Sequence, residues 1–260
     1  MQGAHIVSPA ENFPFPLPSP LIQSSRAQGV HNTKEVTRIA GPAQRVAVDE
    51  DCLLESHAPA DCHVLLDGML YRYKMLQDGK RQIIAFLLPG ENFGLAGFLL
   101  GHSDHSVAAL VPSHIATIPA SRLLGLSGTA PGAMNSLWQD MLVQDSIARE
   151  WIANIGRRRA SERIAHLICE MRARLHAAPA GGKVRFRWQV SQAILGDATS
   201  LSIVHVNRVL QQLRADRLVT FQDGMVEIED LEQLEEFAGF DDAYLHLGRT
   251  TASRPFALTA

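Results

Sequence analysis

The sequence predicts an α+β protein with an N-terminal double-stranded β-roll of the jelly-roll type, a long dimerisation helix and a C-terminal winged helix-turn-helix. Short apolar runs separated by turn residues fill residues 45–120 and are typical of strands. Between residues 131 and 155, apolar side chains recur every three or four positions, which indicates a helix. Two short helical segments followed by two strands near the C-terminus match the order of a winged helix-turn-helix.

Length and composition place the chain among folded proteins with more than one domain. Its 260 residues exceed the usual domain size of about 100–150 residues. With 46% hydrophobic and 20% charged residues, the composition is that of an ordinary globular protein. No apolar run approaches the roughly 20 residues that span a bilayer, and the N-terminus has no signal-peptide pattern. We therefore expect a cytoplasmic protein without a membrane partner.

The first two predicted parts are a tail and the β-roll. Residues 1–40 contain the stretch ENFPFPLPSP, which cannot sustain a helix or a sheet, so we expect a disordered tail. Residues 41–130 form the predicted β-roll, with strands in CHVLL, MLYRYKML, RQIIAFLL, SVAALV and HIATI. Asp78 and Gly79 lie between the second and third of these runs and offer positive-φ positions for a tight turn, which predicts an antiparallel hairpin.

The predicted dimerisation helix covers residues 131–156. Its apolar stripe can pack on its own domain or against a second copy of the chain, and we expect the second arrangement. Gly156 is expected to end the helix. The stripe contains Met134, Leu137, Met141, Ala148, Ile152 and Ile155, and all but Met134 are assigned to the dimer interface.

The winged helix-turn-helix is predicted over residues 157–247, followed by a tail at 248–260. A helix at 160–175 precedes a loop of small residues at 177–182. Two short helices follow at 191–199 and 203–215, and the Ser202 hydroxyl is placed to cap the second one. LVTF and MVEIE then flank Gln222-Asp223-Gly224 in a predicted hairpin, the wing.

Charge is distributed unevenly along the chain. Residues 157–217 carry twelve Lys and Arg against four Asp and Glu, a local charge of +8, whereas the whole chain has a net charge of −3. Such asymmetry suits a segment that meets a polyanion. A basic face that is simply solvated explains the charge alone equally well.

The second short helix reads SIVHVNRVLQQLR, and its polar positions suit base recognition. Val206, Val209, Leu210 and Leu213 mark its buried side, whereas its first turns expose polar residues. Arginine is the best two-bond donor to guanine and asparagine suits adenine, so Arg208 is the first choice for base readout. The DNA-contact candidates are Gln192, Ser202, His205, Asn207 and Arg208.

Three segments together resemble the Crp/Fnr family of bacterial regulators. They are DGKRQIIAFLLPGENFG, IGRRRASERIAHLICEMRARL and LSIVHVNRVLQQLR, and the resemblance extends from about Leu53 to Leu247. It implies a sensory β-roll like a cyclic nucleotide-binding domain, a dimerisation helix and a DNA-binding winged helix-turn-helix. The implied partners are double-stranded DNA with a pseudo-palindromic site, a second copy of the chain and RNA polymerase.

The resemblance also locates a candidate effector pocket, and its departures argue against two known signals. Members that bind cyclic AMP carry a glutamate and an arginine where this chain has Leu95 and His105, so the ribose acceptor and the phosphate partner are both missing. Residues 1–51 contain no cysteine, which argues against the iron–sulfur cluster of the oxygen-sensing members. We expect no cofactor. The candidate pocket residues are Gly90, Glu91, Asn92, Phe93, Gly94, Leu95, His105 and Ser106.

The first short helix, QAILGDATSL, departs from the family pattern and suggests an alternative function. Gly196 costs about 1 kcal/mol of helix propensity, and Thr199 and Ser200 replace a leucine and a glycine. The alternative is therefore an interaction module that keeps the fold but binds DNA weakly. In the second short helix, Val204 stands where relatives often carry a base-reading glutamate, so the preferred DNA site should differ from theirs.

Scattered histidines and cysteines suggest only minor alternatives. His102 and His105, with His63 or His114, evoke an enzyme or a metal-binding cupin-like barrel, but no further ligand stands at a fixed spacing. We expect that the protein binds no metal and is not an enzyme. Cysteines Cys52, Cys62 and Cys169 are too few and too scattered for a disulfide framework or a four-cysteine metal site, and a redox role for one of them is a minor hypothesis.

Overall fold

The structure is a computed structural model that describes residues 39–129, 131–176 and 183–247, except for the side chain of residue 127. The predicted tails, apart from residues 39–40, and the predicted loop at 177–182 lie outside these ranges. The strands are β1 (Ala43–Val46), β2 (Asp51–Leu53), β3 (Asp61–Asp67), β4 (Leu70–Met75), β5 (Arg81–Leu87), β6 (Asn92–Phe93), β7 (Ser106–Ala109), β8 (Ser113–Pro119), β9 (Val184–Arg187), β10 (Val219–Gln222) and β11 (Met225–Ile228). The α-helices are α1 (Leu95–Leu100), α2 (Ala120–Thr129), α3 (Pro131–Arg157), α4 (Ala160–Arg174), α5 (Gln192–Thr199), α6 (Ile203–Ala215) and α7 (Leu231–Ala238), and a 3₁₀ helix covers Asp242–Leu245.

The predicted β-roll is present as two antiparallel four-stranded sheets. One sheet has the order β1-β8-β3-β6 and the other the order β2-β7-β4-β5. Every strand of these two sheets sends at least one apolar side chain into the core between them. This is expected because successive side chains of a strand point to opposite faces of its sheet. This core contains Val46, Leu53, Leu65, Leu70, Leu87, Phe93, Val107, Ala109 and Ile115.

The β4–β5 hairpin is confirmed, with one difference in its turn. The two strands pair antiparallel from Leu70 opposite Leu87 to Met75 opposite Arg81. The Gly79 N–H donates to the Leu76 carbonyl at 2.9 Å, and Gly79 has φ 79°. Asp78 is not among the positive-φ residues of the described chain, so the connection is a turn followed by one left-handed glycine.

Helix α3 runs from one sheet of the roll to the C-terminal domain. Its first turns cover the outer face of the β1-β8-β3-β6 sheet through Ala133 and Leu137. Its later turns bring Ile147 and Trp151 into the apolar cluster that joins the outer face of the second sheet to the C-terminal domain. At 27 residues it is about 40 Å long, which is enough to reach from the roll to the C-terminal domain.

Two expectations for this helix were wrong. Leu137 is 1% exposed inside its own domain, so it cannot belong to a dimer interface. The helix also continues through Gly156 to Arg157. Just beyond its end, the Arg163 guanidinium donates to the carbonyl of Arg158 at 3.1 Å.

The C-terminal domain contains the predicted helix-turn-helix with its boundaries nearly as expected. Helix α5 begins after Ser191, whose hydroxyl accepts from the Ile194 N–H at 3.2 Å. Helix α6 begins after Ser202, whose hydroxyl accepts from the His205 N–H at 3.3 Å, so the predicted cap is confirmed. The wing hairpin β10–β11 turns at Asp223 and Gly224, both at positive φ. Strand β9, which the sequence analysis missed, pairs with β11 and makes the sheet three-stranded.

Gly196 is a packing requirement rather than a defect of α5. A Cβ at this position would lie 2.6 Å from the Leu201 carbonyl oxygen, so only glycine permits this tight turn between the two helices. Thr199 is buried and donates its hydroxyl to the Leu195 carbonyl at 2.6 Å. Ser200 adopts the left-handed conformation, φ 55°, that the turn needs. The three departures from the family pattern are thus compatible with an intact helix-turn-helix.

We predict that Gly196→Ala destabilises the chain by about 1–3 kcal/mol, because the added methyl group meets a backbone carbonyl that can move only with the turn. The matched control is Gly156→Ala in α3, where a Cβ meets open space; it should stabilise the chain by about 0.5–1 kcal/mol. Urea unfolding followed by circular dichroism measures both changes. A neutral or stabilising Gly196→Ala would show that the close approach is misjudged.

Candidate functional site

The N-terminal half of α6 presents an uncovered face to solvent. Val206, Val209, Leu210 and Leu213 hold the opposite side of the helix in the core. Ser202, His205, Asn207 and Arg208 are exposed, as predicted. The Ser202 cap fixes the start of the helix, so these side chains leave the protein in defined directions.

The predicted DNA-contact residues are brought together at this face. Gln192, at the first position of α5, accepts a hydrogen bond from the Asn207 amide at 3.4 Å, which links the beginnings of the two helices. Arg208 lies on the solvent side of α6, one turn after Val204, and within the described residues it has no ion-pair partner. A guanidinium in this position is available for two parallel hydrogen bonds to an external acceptor.

Only part of the basic segment is available to a polyanion. Several of its cations are engaged within the protein: Arg158 pairs with Glu150, Arg172 with Glu235, Lys183 with Glu227 and Glu229, and Arg185 with Glu227. Other cations remain exposed, among them Arg157, Arg187, Arg208, Arg214 and Arg217. The local charge of +8 therefore combines structural ion pairs with a smaller exposed basic surface.

The predicted effector segment serves largely as structure. Phe93 lies in the core between the sheets, and Leu95 lies under α2 and α3. Gly90 donates its N–H to the Leu65 carbonyl at 2.7 Å, and Ser106 accepts from the Glu55 N–H at 2.9 Å. A Cβ on Gly94 would lie 3.1 Å from the Asp61 carbonyl oxygen. These five residues of the candidate pocket thus hold the roll together.

Glu91 ties the roll to the C-terminal domain through a buried ion-pair cluster, which we call the interdomain joint and which consists of Glu91, Glu170 and Arg174. Arg174 on α4 donates to Glu91 at 2.9 Å, to Glu170 at 3.1 Å and to the carbonyl of Phe86 at 2.9 Å. The side chains of Glu91, Glu170 and Arg174 are 15%, 0% and 5% exposed. Burial raises the pKa of Glu170, and the two carboxylates together raise the pKa of Arg174 despite its own burial.

The neighbouring residue, Asn92, is the first residue of β6 and ties this strand to α3. Asp140 on α3 accepts from the Asn92 backbone N–H at 2.9 Å, from the Asn92 amide and from the Gln144 amide at 2.9 Å. Burial, aided by the nearby Glu91 carboxylate, raises the pKa of Asp140 to about 7. Two consecutive residues at the start of β6, Glu91 and Asn92, thus hold two different helices.

Two polar atoms inside the roll have no hydrogen-bond partner among the described residues: Arg72 Nε and His105 Nε2. Arg72 donates through its other end to the Asn92 carbonyl at 3.0 Å, and His105 Nδ1 lies 2.7 Å from the Asp104 carboxylate. Burial lowers the pKa of His105, and the Arg72 charge lowers it further. Buried polar groups are nearly always paired, so each of these two atoms keeps an unused hydrogen-bonding position inside the roll.

The histidines and cysteines do not form a second site in the described part of the chain. No group of three or more His, Cys, Asp or Glu is arranged there to hold a metal ion, and His63 instead contacts the Thr117 hydroxyl at 3.1 Å. Cys62 and Cys169 are buried and Cys52 is half-buried. Burial raises the pKa of both the Cys52 and the Cys62 thiol to about 12, which disfavours the reactive thiolate.

Comparison with known proteins places both halves of the chain. Residues 45–129 match the family described as cyclic nucleotide-binding domain, and residues 162–237 match the Crp-like helix-turn-helix domain. The nitrogen fixation regulation protein FixK of Azorhizobium caulinodans is 27% identical over 221 residues, which cover 81% of this chain and 86% of FixK. The transcriptional activator protein Anr of Pseudomonas protegens is 27% identical over 177 residues, covering 68% of this chain and 72% of Anr.

Solved structures share the architecture. FixK2 from Bradyrhizobium japonicum superposes with a TM-score of 0.67 at 25% identity, covering 76% of this chain and 97% of that one. A CooA mutant from Carboxydothermus hydrogenoformans gives a TM-score of 0.68 at 11% identity, covering 82% and 96%, and so shows the fold alone. None of the described helices is both long and apolar enough to cross a membrane.

We predict that Asp140 makes stability depend on pH. Its folded-state pKa of about 7 lies above the unfolded value of about 3.9, so the folded chain binds the extra proton between these values and loses stability as pH rises through them. Asp140→Asn should remove this loss of stability. The urea midpoint of the variant should therefore rise relative to that of the native chain as the pH increases from 5 to about 7. The control Gln139→Ala, exposed on the same helix, should shift the midpoint equally at each pH. An equal shift for Asp140→Asn at all pH values would contradict the assignment.

Proposed function

Because this chain belongs to the Crp/Fnr family of transcription regulators, we propose that two copies read a pseudo-palindromic DNA site with their α6 helices under the control of a signal received by the β-roll. The exposed N-terminal half of α6 is the observation that carries this proposal. It presents Arg208 and Asn207, the residue types that read guanine and adenine, at the end of a helix whose other side is buried.

A second copy of the chain is proposed to cover the exposed apolar side of α3. Trp138, Leu142 and Ile152 are 43%, 62% and 73% exposed and lie on the side of the helix away from the roll. Of the residues assigned to the interface from the sequence, Ala148 is exposed and Met141 and Ile155 are half-buried next to this side. A long helix with apolar side chains in solvent is stabilised by pairing with itself, and a palindromic site needs two reading heads.

The signal is proposed to act inside the roll, near Arg72 and His105, whose unpaired atoms favour a polar ligand. Cyclic AMP is not the expected ligand, because Leu95 and His105 stand where the relatives that bind it carry the ribose-binding glutamate and the phosphate-binding arginine. The Arg72 guanidinium does not stand at that position, and it is already held by the Asn92 carbonyl at 3.0 Å. Saturable calorimetric binding of cyclic AMP would contradict this. We also propose that the chain works in the cytoplasm beside RNA polymerase, without a cofactor and without catalysis of its own.

The alternative of an interaction module with weakened DNA binding loses its main support. That alternative rested on Gly196, Thr199 and Ser200, and each of them suits its place in the helix-turn-helix turn. The reading face of α6 is moreover not covered by any other described part of the chain. DNA binding is therefore the function that the geometry supports best.

We predict that Arg208→Ala weakens binding to the cognate site by about 1–3 kcal/mol and relaxes preference at one base pair in each half-site, because two hydrogen bonds to a guanine are lost. Binding to a scrambled duplex should fall much less. The matched control is Arg157→Ala, an exposed arginine at the end of α3, which should affect both duplexes alike or neither. Fluorescence polarisation at two salt concentrations separates these cases. If Arg208→Ala weakens both duplexes equally, the residue contacts phosphate and the assignment of base readout fails.

We predict that the double substitution Leu142→Glu and Ile152→Glu produces monomers. Burying one of these apolar side chains in the dimer interface is worth about 1.5–3 kcal/mol. The substitutions place carboxylates at these positions in both copies of the chain. Sedimentation should show the mass of a single chain, and affinity for a palindromic duplex should fall. The control Leu124→Glu on α2, where the native side chain is 73% exposed, should leave the mass unchanged. An unchanged mass in the double variant would exclude α3 as the interface.

A further inference from the structure

The first turn of α6 exposes two large apolar side chains. Val204 is 71% exposed and Ile203 is 55% exposed, although the helix buries its other valines and leucines almost completely. Exposed apolar residues of this size in an ordered first turn, immediately after the Ser202 cap, are available for a contact outside the chain.

Val204 occupies the middle of the reading face. Val204, Arg208 and Gln211 follow each other at intervals of four and three residues, so they form one row along the helix. All three are exposed, and the row lies opposite the buried positions such as Val206 and Val209. Ile203 lies about 100° away at the edge of this face. Whatever Arg208 contacts, Val204 meets a neighbouring part of the same surface.

We propose that Val204 is a specificity-determining residue that contacts the 5-methyl group of a thymine next to the base pair read by Arg208. The inference deepens the proposed function and rests on it. The thymine methyl is the apolar group that the major groove displays, whereas the other edges there are hydrogen-bond donors and acceptors. A valine cannot bond to those edges, and it would leave them without water.

The chemistry of the surrounding residues favours DNA over a protein as the occupant of this face. Val204 is flanked by His205, Asn207 and Arg208, all exposed and polar, and the exposed arginines Arg214 and Arg217 lie further along the same unit. A basic, polar surface with Val204 at its centre and Ile203 at its edge fits a groove lined by phosphates. It does not resemble the continuous apolar core expected of a protein interface.

The test begins with selection of a preferred site from random duplexes by the full-length chain. Each thymine of one half-site is then replaced singly by deoxyuridine, which removes the methyl group and keeps the base pairing. One replacement should weaken binding by about fourfold, the value of one buried methyl-sized group. Val204→Ala should bind the thymine and deoxyuridine duplexes about equally. The matched control Ile203→Ala should keep the full difference.

Val204→Glu provides a second test, because this variant should gain a preference for a different base. A glutamate accepts a hydrogen bond from the cytosine amino group, so selection with this variant should return cytosine in place of the thymine. The inference is overturned if no deoxyuridine replacement matters, or if Val204→Ala keeps the methyl dependence. Failure to select any DNA sequence would instead contradict the proposed function itself, so the two failures are distinguishable.

Discussion

The buried guanidinium of Arg174 is the interaction on which the arrangement of the two domains depends. It bridges Glu170 of its own helix, Glu91 of the roll and the Phe86 carbonyl, all in an environment almost without solvent. Such a cluster gains little over apolar packing, yet loss of one partner leaves an uncompensated buried charge that costs about 3–5 kcal/mol. The joint therefore works as a positional constraint: the C-terminal domain docks only where its arginine meets both carboxylates. Phe86 packs edge-on against Trp151 and Trp188, and the Trp151 indole N–H donates to the Glu170 carboxylate at 3.0 Å.

The same constraint connects the interior of the roll to the DNA-reading helix. Glu91 and Asn92 follow each other at the start of β6, and they hold α4 and α3 respectively. A separate contact ties the roll to α5, where Arg81 pairs with Asp197 at 2.8 Å and Ser200 donates to Gln82 at 2.7 Å. The exposed face of α6 stays uncovered by the described part of the chain. A ligand that moves residues 88–94, which include β6, would shift both helices at once, so the geometry offers a direct mechanical route for control.

The sequence predicted the elements well where a regular period decided them. Short apolar runs, turn residues, helical spacing and caps predicted five strands of the roll (β3, β4, β5, β7 and β8), the hairpin at Gly79, helix α3 and both helices of the helix-turn-helix. They did not predict the strands β1, β2 and β6 or the helices α1, α2 and α7. The sequence-based predictions failed where contacts between distant parts of the chain determine a residue's role. The period of α3 could not distinguish the side that holds Leu137 in its own domain from the side that exposes Ile152. Helix propensity penalised Gly196, whose role depends on the Leu201 carbonyl. Strand β9 is only four residues long and gains its partner 40 residues later, and the role of Glu91 depends on Arg174, 83 residues away.

The central claim is that two copies of α6 enter successive major grooves and read guanine through Arg208. Methylation interference on a bound, selected site tests it most directly, because methylation at guanine N7 blocks the major-groove edge that an arginine uses. The account predicts one interfering guanine in each half-site, with the two half-sites separated by one helical turn, about 10 base pairs, or a multiple of it. Interference confined to a single half-site, or its absence at every guanine while the protein stays bound, would contradict the account.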